Sequence, residues 1–225
     1  MLAGEAVVAI WNGIAPEGRD EFYAWHIHEH MPERLGIPGF RRGRRYRSLD
    51  NATQPEFFTL YEVDTFQVLQ GQDYANRLNA PTPWTRKATS HFQDTSRALA
   101  RVLGSHGRGL GGVLLTLRFD VPNEEAEQTR KHLLAILPQI AEMPQIAGAH
   151  LCRADLDASD AKTNESKDRS DIKAPPRWFL MFEACSPEAL GNVSELAGAE
   201  ACVKNAVTGR YVMEFTRLRT EWAAG

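Results

Sequence analysis

The predicted strands and helices follow the same order twice along the chain, and this repetition limits the possible folds more than any other sequence feature. Ile37-Pro38-Gly39 is followed 109 residues later by Ile146-Ala147-Gly148, and the apolar stretch 56–62 resembles the stretch 177–183. In each half, runs rich in β-forming residues and helical segments predict the order β-α-β-β-α-β. The pattern therefore predicts an internal duplication.

The predicted fold class is α+β, with two tandem ferredoxin-like (βαββαβ) repeats. Residues 1–104 form the first predicted unit, 105–112 a glycine-rich linker, and 113–225 the second unit. The polar segment 155–176 predicts a mobile loop, which is either a solvated insertion or a lid over a site. Helices cover one face of each four-stranded antiparallel sheet, so we expect the two sheets to face each other as an α+β barrel.

Composition and charge exclude several classes of function. The net charge of -3 over 225 residues gives no reason to expect nucleic acid as a partner. No run approaches 18 consecutive apolar residues and the amino terminus lacks a basic region before an apolar run, so we expect neither a membrane span nor a signal peptide. Three cysteines without CxxC spacing indicate reduced core residues, and a cytoplasmic location is expected.

The most unusual stretch of the chain holds three histidines within five residues. His26, His28 and His30 are followed by five arginines among residues 41–47. Helical spacing places His26 and His30 on one side and His28 nearly opposite them. The same spacing predicts an apolar stripe on this helix, next to His26 and His30, formed by Ala24, Ile27, Met31 and Leu35.

Three interpretations of this stretch remain open. The histidines and arginines can be a solvated helix face and the polar side of a strand. They can form a site in which imidazole acts as acid or base and guanidinium binds an anionic substrate. They can also bind a metal through His26 and His30, but a third ligand is not visible in the sequence, so we expect no metal and no organic cofactor. With the 109-residue shift, His26 and His30 correspond to Ala135 and Gln139, which favours a role specific to the first half.

A family resemblance rests on residues 22–46 and 82–85. Phe22-Tyr23, Trp25, Glu29-His30-Met31-Pro32-Glu33-Arg34-Leu35, Ile37-Pro38-Gly39-Phe40, Arg44-Arg45-Tyr46 and Thr82-Pro83-Trp84-Thr85 together resemble EthD-like proteins of the dimeric α+β barrel superfamily. The resemblance implies a ferredoxin-like fold. It also implies the activities found in that superfamily, which includes muconolactone-type isomerases and cofactor-independent monooxygenases. His30 and Tyr46 correspond to pocket residues in such proteins, whereas His26 and His28 depart from the pattern.

The candidate site follows from these observations taken together. The catalytic candidates are His30, His26 and Tyr46, and the substrate-binding candidates are Arg42, Arg44, Arg45, Trp84 and Tyr23. Strand alternation places Arg42, Arg44 and Tyr46 on one face and Arg41, Arg45 and Arg47 on the other, and it leaves open which face meets the site. We expect histidine acid–base chemistry on a small anionic or aromatic-derived metabolite, in an isomerase or a monooxygenase. The alternative is a catalytically silent barrel that binds a small ligand or a partner protein. Homodimer formation is left open.

Overall fold

A computed structural model describes residues 1–198 and 204–220, and strands dominate its architecture. The strands are β1 (Ala6–Ile14), β2 (Phe40–Ser48), β3 (Phe57–Val63), β4 (Phe92–Gly107), β5 (Val113–Asp120), β6 (Ile146–Ala154), β7 (Ile172–Lys173), β8 (Trp178–Ala184) and β9 (Lys204–Leu218). The helices are α1 (Arg19–Trp25), α2 (Met31–Gly36), α3 (Phe66–Gln70), α4 (Gln72–Asn79), α5 (Pro83–Thr89), α6 (Ala126–Ala141), α7 (Leu156–Asp160) and α8 (Pro187–Gly198).

The strands form one closed antiparallel barrel. Eight strands follow the order β1-β3-β2-β9-β5-β8-β6-β4, and the pairing of β1 with β4 closes the circle. The short strand β7 pairs in parallel with residues 95–96 of β4. The predicted fold class, two ferredoxin-like repeats with two facing four-stranded sheets, is therefore wrong: the wall of the barrel is a single continuous sheet.

Two long strands are the physical reason for this difference. β4 pairs with β1 through residues 92–101 and with β6 through residues 100–107. β9 pairs with β5 through residues 204–212 and with β2 through residues 211–218. The sequence predicts shorter strands at 96–103 and 211–220. Each real strand is long enough to hydrogen-bond to both halves, and this leaves no pair of separate sheets.

The two faces of the barrel wall are packed differently. The interior is filled by side chains from all around the barrel, including the large aromatic residues Trp11, Tyr46, Phe58, Phe179 and Tyr211. Outside, α6 and α8 cover the apolar cluster of the carboxyl-terminal half, and α2, α3 and α4 cover that of the amino-terminal half. Residues of β3 and β8 are buried along their whole length, as expected for strands covered on both faces.

The two predicted connecting segments contain regular structure. Residues 105–107, assigned from sequence to a linker, continue β4, and the connection to β5 begins at Arg108. The segment 155–176 contains α7 and β7 and contacts the amino-terminal half of the chain. The division into two units at residues 104 and 113 stays a prediction.

Candidate functional site

One continuous helical segment carries the three histidines. α1 passes into a π-helical turn at His26–His30, in which the Met31 amide donates to the His26 carbonyl, and α2 follows directly. A π turn holds more residues than an α turn, so residues four apart stay on the same face. His26 and His30 are therefore both buried, and His28 is exposed, as the helical spacing predicts. Single π turns are frequent at functional sites.

The buried face of this helix differs from the predicted apolar stripe. Ala24 is exposed and Ile27 is half-buried, whereas Met31 and Leu35 are buried as predicted. The residues that the helix actually turns toward the sheet include two histidines and an arginine; they are Phe22, Trp25, His26, His30, Met31, Arg34 and Leu35. The helix thus buries polar groups against the outer wall of the barrel.

His30 lies between this helix and the outer face of β3. Its ring stacks on Trp25 with 4.2 Å between the centroids, and the ring of Tyr61 is 6.2 Å away. Burial holds the pKa of His30 well below its ordinary value, and the charge of Arg34 lowers that pKa further. The imidazole of His30 is consequently neutral near pH 7 and can accept a proton.

Three buried polar atoms around His30 have no hydrogen-bond partner within residues 1–198 and 204–220. They are His30 Nδ1, Arg34 Nη1 and Tyr61 Oη, and we call them the open polar atoms. Their residues line one small cavity of about 20 Å³, together with Tyr74, Arg97 and Glu165 among others. Buried polar groups normally have partners, so three without one around a single cavity indicate a place for a small polar partner, either an ordered water or a group of a ligand.

The guanidinium of Arg34 is the positive charge of this site. Arg34 is 4% exposed, and its Nη2 donates to the Glu165 carboxylate in the segment 155–176. Burial is the largest single effect and lowers the pKa of Arg34, but the charge and hydrogen bond of Glu165 together with Tyr74 and Tyr61 outweigh it, and the pKa is raised. The cavity therefore holds a fixed cation beside a neutral base.

His26 belongs to a second group of side chains nearer the surface. Its ring centroid is 5.5 Å from that of His30, and its Nδ1 is 3.5 Å from Nη1 of Arg45. Arg45 stacks over Tyr23 with 4.5 Å from Cζ to the ring centroid. Glu214 of β9 pairs with Arg45 at 3.3 Å and accepts from the Tyr23 hydroxyl at 3.0 Å. Burial, followed by the neighbouring His30, holds the pKa of His26 well below its ordinary value.

Arg42, Arg44 and Tyr46 point into the barrel and so lie on the other side of the wall from His30. Arg44 is fully buried and pairs with Glu62 at 2.8 Å and with Glu183 at 2.9 Å. Arg42 donates to both oxygens of Glu62, at 2.8 and 2.6 Å. Burial raises the pKa of Tyr46. The structure therefore separates the candidates into an outer group with His26, His30, Arg45 and Tyr23 and an inner group with Arg42, Arg44 and Tyr46.

The indole of Trp84 also lies outside, but not against the His30 cavity. Trp84 packs with the cluster that contains Phe22 and Trp25, and its Nε1 donates to Glu21. Trp25 is held from the same side, because its Nε1 donates to Glu29 and to the Thr85 hydroxyl, each at 3.2 Å. In this arrangement Trp84 supports the cluster that contains Trp25, the residue that stacks on His30.

Four residues of the outer group were not among the sequence candidates. Arg34 lies four residues after His30, so its spacing on the helix could have identified it. Tyr61 is one of the alternate residues of β3 that face outward, a fact that depends on which face of the strand meets the helix. Glu165 and Glu214 come from distant parts of the chain, 131 and 169 residues from their arginine partners. No local sequence signal could have identified these two carboxylates.

Other features of the described residues limit the alternatives. A more open cleft of about 510 Å³ lies around Arg118, Asp120 and Lys173, away from the histidines. One buried polar atom without a partner among the described residues, Arg118 Nε, belongs to this cleft, whereas three belong to residues that line the cavity at His30, and we therefore place the site at His30. Within the described ranges, no group of three His, Cys, Asp or Glu side chains could hold a metal ion, and no helix is long and apolar enough to cross a membrane. Cys152 and Cys185 are free, and Cys202 lies outside these ranges.

Comparison with known proteins gives structural relatives only. No family model and no curated protein matches the sequence. The structure is similar to that of a protein from Lactobacillus acidophilus provisionally named a monooxygenase, with a TM-score of 0.60 and 10% identity over 96% of this chain and 97% of that chain. An anthrone oxidase-like protein gives a TM-score of 0.63 with 11% identity over 98% and 95% of the two chains.

A third similar structure is that of a haem-binding protein from Thermus thermophilus, with a TM-score of 0.54 and 8% identity over 94% of this chain and 92% of that chain. At such identities the similarity shows the fold alone. These neighbours therefore show the fold and do not single out the EthD-like proteins.

Proposed function

We propose that the chain is a small-molecule enzyme of the EthD-like kind that performs acid–base chemistry at His30. The observation that carries this proposal is that the three residues with the open polar atoms line one small cavity. A neutral base, a fixed guanidinium and a phenol are the groups needed to remove a proton and to stabilise the resulting anion.

The proposed step transfers a proton from a carbon or oxygen acid of the substrate to Nδ1 of His30. Arg34 offsets the negative charge that develops on the substrate, and Tyr61 donates a hydrogen bond, because burial raises the pKa of its hydroxyl and keeps it protonated. Return of the proton to a different carbon is an isomerisation. Transfer of an electron from the anion to dioxygen is the first step of cofactor-independent oxygenation. Both reactions begin with the same proton abstraction.

His26 has a positioning role in this proposal. Its ring lies beside that of His30 and next to Arg45, which Glu214 and Tyr23 hold in place. Arg42, Arg44 and Tyr46 are on the interior side of the wall, so we assign them to the stability of the barrel rather than to contact with a substrate at His30. Homodimer formation stays a prediction.

Haem, which one structural neighbour binds, does not fit beside His30. The cavity there is about 20 Å³, whereas pockets for larger organic ligands measure about 300–1,000 Å³. Tyr61, Tyr74 and Arg34 occupy the space next to the imidazole that a macrocycle would need. The proposed reaction therefore uses no step through haem.

The same small volume favours one alternative, a catalytically silent barrel that binds a small ligand. The experiment that separates the two begins with a screen of small aromatic acids and phenols for thermal stabilisation, because a ligand that binds only the native state raises the melting temperature. Compounds that stabilise the protein are then tested for turnover with and without dioxygen. Stabilisation without turnover of any compound would support the binding protein.

A matched pair of variants then tests the role of His30. We expect His30→Ala to lower turnover by about 10²–10⁴-fold, the usual contribution of a general base. His28→Ala is the control, since His28 is exposed on the same helix, and we expect its turnover to stay within about threefold of the wild type. Equal effects of the two substitutions would contradict the proposal.

A further inference from the structure

The carboxylate of Glu165 enters the candidate site from a distant segment of the chain. Its contact with Arg34 uses only Nη2 of the guanidinium, and Arg34 Nη1 is one of the open polar atoms. A guanidinium can bind a carboxylate through two parallel N–H···O bonds. Glu165 therefore uses only one of the two terminal nitrogens of the Arg34 guanidinium, and within the described residues the other is free to bind a second carboxylate oxygen.

The segment that carries Glu165 is attached by a few polar contacts. The Glu165 amide donates to the Leu78 carbonyl at 3.1 Å. Asn164 donates from its amide to Asn79 Oδ1 at 3.0 Å and from Nδ2 to the Asn79 carbonyl at 2.9 Å. Residues 161–170 contribute no buried apolar side chain. A segment held in this way opens at low free-energy cost compared with the core.

A second cavity lies under the same segment and leads toward His30. It measures about 240 Å³ and shares Ile10, Arg97 and Glu165 with the cavity at His30. Five cationic side chains line it against two acidic ones; the cations are Arg97, Lys162, Lys167, Arg169 and Lys173, and the acids are Asp160 and Glu165. Two of these cations are already paired, Arg169 with Asp171 and Lys173 with Asp94. If Glu165 leaves Arg34, the two cavities join into a space whose remaining cations, Arg34, Arg97, Lys162 and Lys167, outnumber its two acids.

The walls of the inner cavity favour a flat ring next to the charge. His30, Phe40, Tyr61 and Tyr74 all line the cavity in which Arg34 ends. An aromatic ring packs well against such walls, and a carboxylate on that ring can reach the guanidinium. A ring does not fit in about 20 Å³ and needs the space formed when Glu165 leaves and the two cavities join. In that space the combination fits an aromatic carboxylic acid better than a phosphate ester or a neutral phenol.

We propose that Arg34 is the carboxylate subsite for an aromatic carboxylic acid, and that Glu165 occupies this subsite until the substrate displaces it. This inference rests on the proposed function at the same site, for which it names the class of substrate. Glu165 acts as an internal competitor, so the affinity of the wild type for substrate is reduced by the fraction of molecules in which Glu165 is bound.

Calorimetric titration with benzoate, and with benzamide as its neutral counterpart, tests the subsite. We expect Glu165→Gln to bind benzoate at least about tenfold more tightly than the wild type, because the competing carboxylate is gone. Benzamide should bind the two proteins equally. The matched control is Glu142→Gln, which removes a carboxylate from an exposed pair with Arg108 and should bind benzoate as the wild type does. The double variant Arg34→Met/Glu165→Gln should not show the tighter binding of benzoate that Glu165→Gln shows.

A second measurement covers the case in which Glu165→Gln is poorly folded. Glu165→Ala removes a group the size of acetate, so acetate should raise its melting temperature saturably, whereas chloride at equal ionic strength should not. The proposal is overturned if benzoate binds Glu165→Gln no more tightly, if benzamide gains equally, or if acetate acts alike on Glu165→Ala and the wild type.

One more variant separates this inference from the proposed reaction. In His30→Gln/Glu165→Gln, benzoate should keep its tighter binding, because the carboxylate subsite belongs to Arg34. Retained tight binding together with absence of turnover in every variant that keeps His30 would overturn the proposed reaction and support the subsite. Turnover of a neutral substrate, together with no gain in benzoate affinity in Glu165→Gln, would support the proposed reaction and overturn the carboxylate subsite.

Discussion

The arginine side chains of strand β2 lie on both sides of the barrel wall. The buried polar groups on the two sides differ in how they are paired. Inside, all four oxygens of Glu62 and Glu183 are paired, with donors from Arg42, Arg44, His150 and the amides of Ala3 and Gly111. Outside, the open polar atoms of His30, Arg34 and Tyr61 surround a cavity. Arg44 and Tyr46 inside the barrel also have buried polar atoms without a hydrogen-bond partner in the described ranges, so the difference lies in the paired carboxylates inside and the cavity outside.

The free energies involved explain why the two arrangements have different roles. A buried polar group without a partner costs about 1–3 kcal/mol, so three of them are a substantial loss for a protein of marginal stability. The interior network pairs its carboxylates fully, although Arg44 and Tyr46 keep buried polar atoms without a hydrogen-bond partner in the part of the chain that the structure describes. In the outer site the three open polar atoms lower the stability of the protein. A ligand that forms hydrogen bonds with these atoms offsets that loss of free energy. The predictions below test this contrast, from the largest expected effect to the smallest.

The largest effect is expected from breaking the interior network. Glu62→Ala leaves Arg42 without its carboxylate and Arg44 with only Glu183, in a fully buried setting. We expect the free energy of unfolding in urea to fall by about 3–5 kcal/mol. Binding of benzoate per native molecule should be unchanged, because the wall separates Glu62 from Arg34.

The exposed pair of Arg108 and Glu142 supplies the control for this prediction. Glu142→Ala should cost about 1 kcal/mol or less, as exposed ion pairs contribute little. If Glu62→Ala does not fold, Glu62→Gln keeps the shape and removes the charge, and the same order of effects should hold. A loss for Glu62 as small as that for Glu142 would contradict the structural role of the network.

Helical spacing and strand alternation predicted part of this contrast from the sequence. The separation of His30 from His28 follows from the geometry of a helix, and it is confirmed by their burial. Alternation divided Arg42, Arg44 and Tyr46 from Arg45 and Arg47. Which of these sets faces the helix depends on the packing of β2 between two neighbours and could not be derived from β2 alone.

The barrel and the closing carboxylate could not be predicted, for a different physical reason. Glycines at 104 and 107 resemble a linker, but a Cβ at Gly104 would lie 2.5 Å from Leu134 of α6, so this glycine lets a helix approach the strand. In the repeat with a 109-residue shift, Arg153 of β6 corresponds to Arg44 of β2. The residue of β6 that takes part in the interior network is His150 instead, so the repeat does not predict this network. Contacts between distant segments, such as Arg34 with Glu165, leave no periodic trace in the sequence.

A smaller effect is expected at Gly43, where the helix approaches β2 most closely. A Cβ at this position would lie 2.1 Å from Sδ of Met31 and 3.1 Å from the ring of Tyr61. Gly43→Ala should therefore lower the free energy of unfolding by about 1–3 kcal/mol, as overpacking does. Displacement of Tyr61 should also weaken benzoate binding. This result would sharpen the contrast, because Gly43 lies on the same strand as Arg44 but faces the outer site.

Gly36 provides the matched glycine. A Cβ there has nothing within 4 Å, so Gly36→Ala should leave both stability and binding nearly unchanged. Adding Met31→Ala to Gly43→Ala should restore part of the lost binding by making room for the Cβ. Equal stability of the two single variants would show that the helix is not held close to Gly43.

The smallest effect is a pH dependence of stability to which both sides of the wall contribute. Burial is the largest cause that lowers the pKa of His26, His30 and His150, although for His150 the contact with Glu183 partly opposes it. The unfolded chain takes up protons below about pH 6.5 and the folded chain does not. The free energy of unfolding is therefore highest above pH 6.5 and falls as the pH is lowered, by up to about 1.4 kcal/mol per pH unit for each histidine.

Glu183 contributes in a separate, more acidic window. Burial raises its pKa, but the hydrogen bond with His150 and the charge of Arg44 outweigh this and lower the pKa to about 2. Its contribution is complete above its unfolded pKa, which is near 4.5, and is lost as the pH falls from there toward 2. Between pH 5 and 6.5 the slope thus reports on the buried histidines together with Glu33, whose pKa burial raises.

Urea unfolding between pH 5 and 6.5 can assign that slope to the two sides of the wall. His30→Gln removes a titrating group of the outer site and His150→Gln one of the interior network, so each should reduce the slope by up to about 1.4 kcal/mol per pH unit. His28→Gln is the control and should leave the slope unchanged, because His28 is exposed. None of the three substitutions should change the stabilisation by benzoate, since the carboxylate subsite belongs to Arg34 and His150 has its partners Ser105 and Glu183 inside the barrel. A slope that none of the three substitutions alters would mean that these imidazoles are not held neutral by burial, and the proposed base at His30 would lose its physical support.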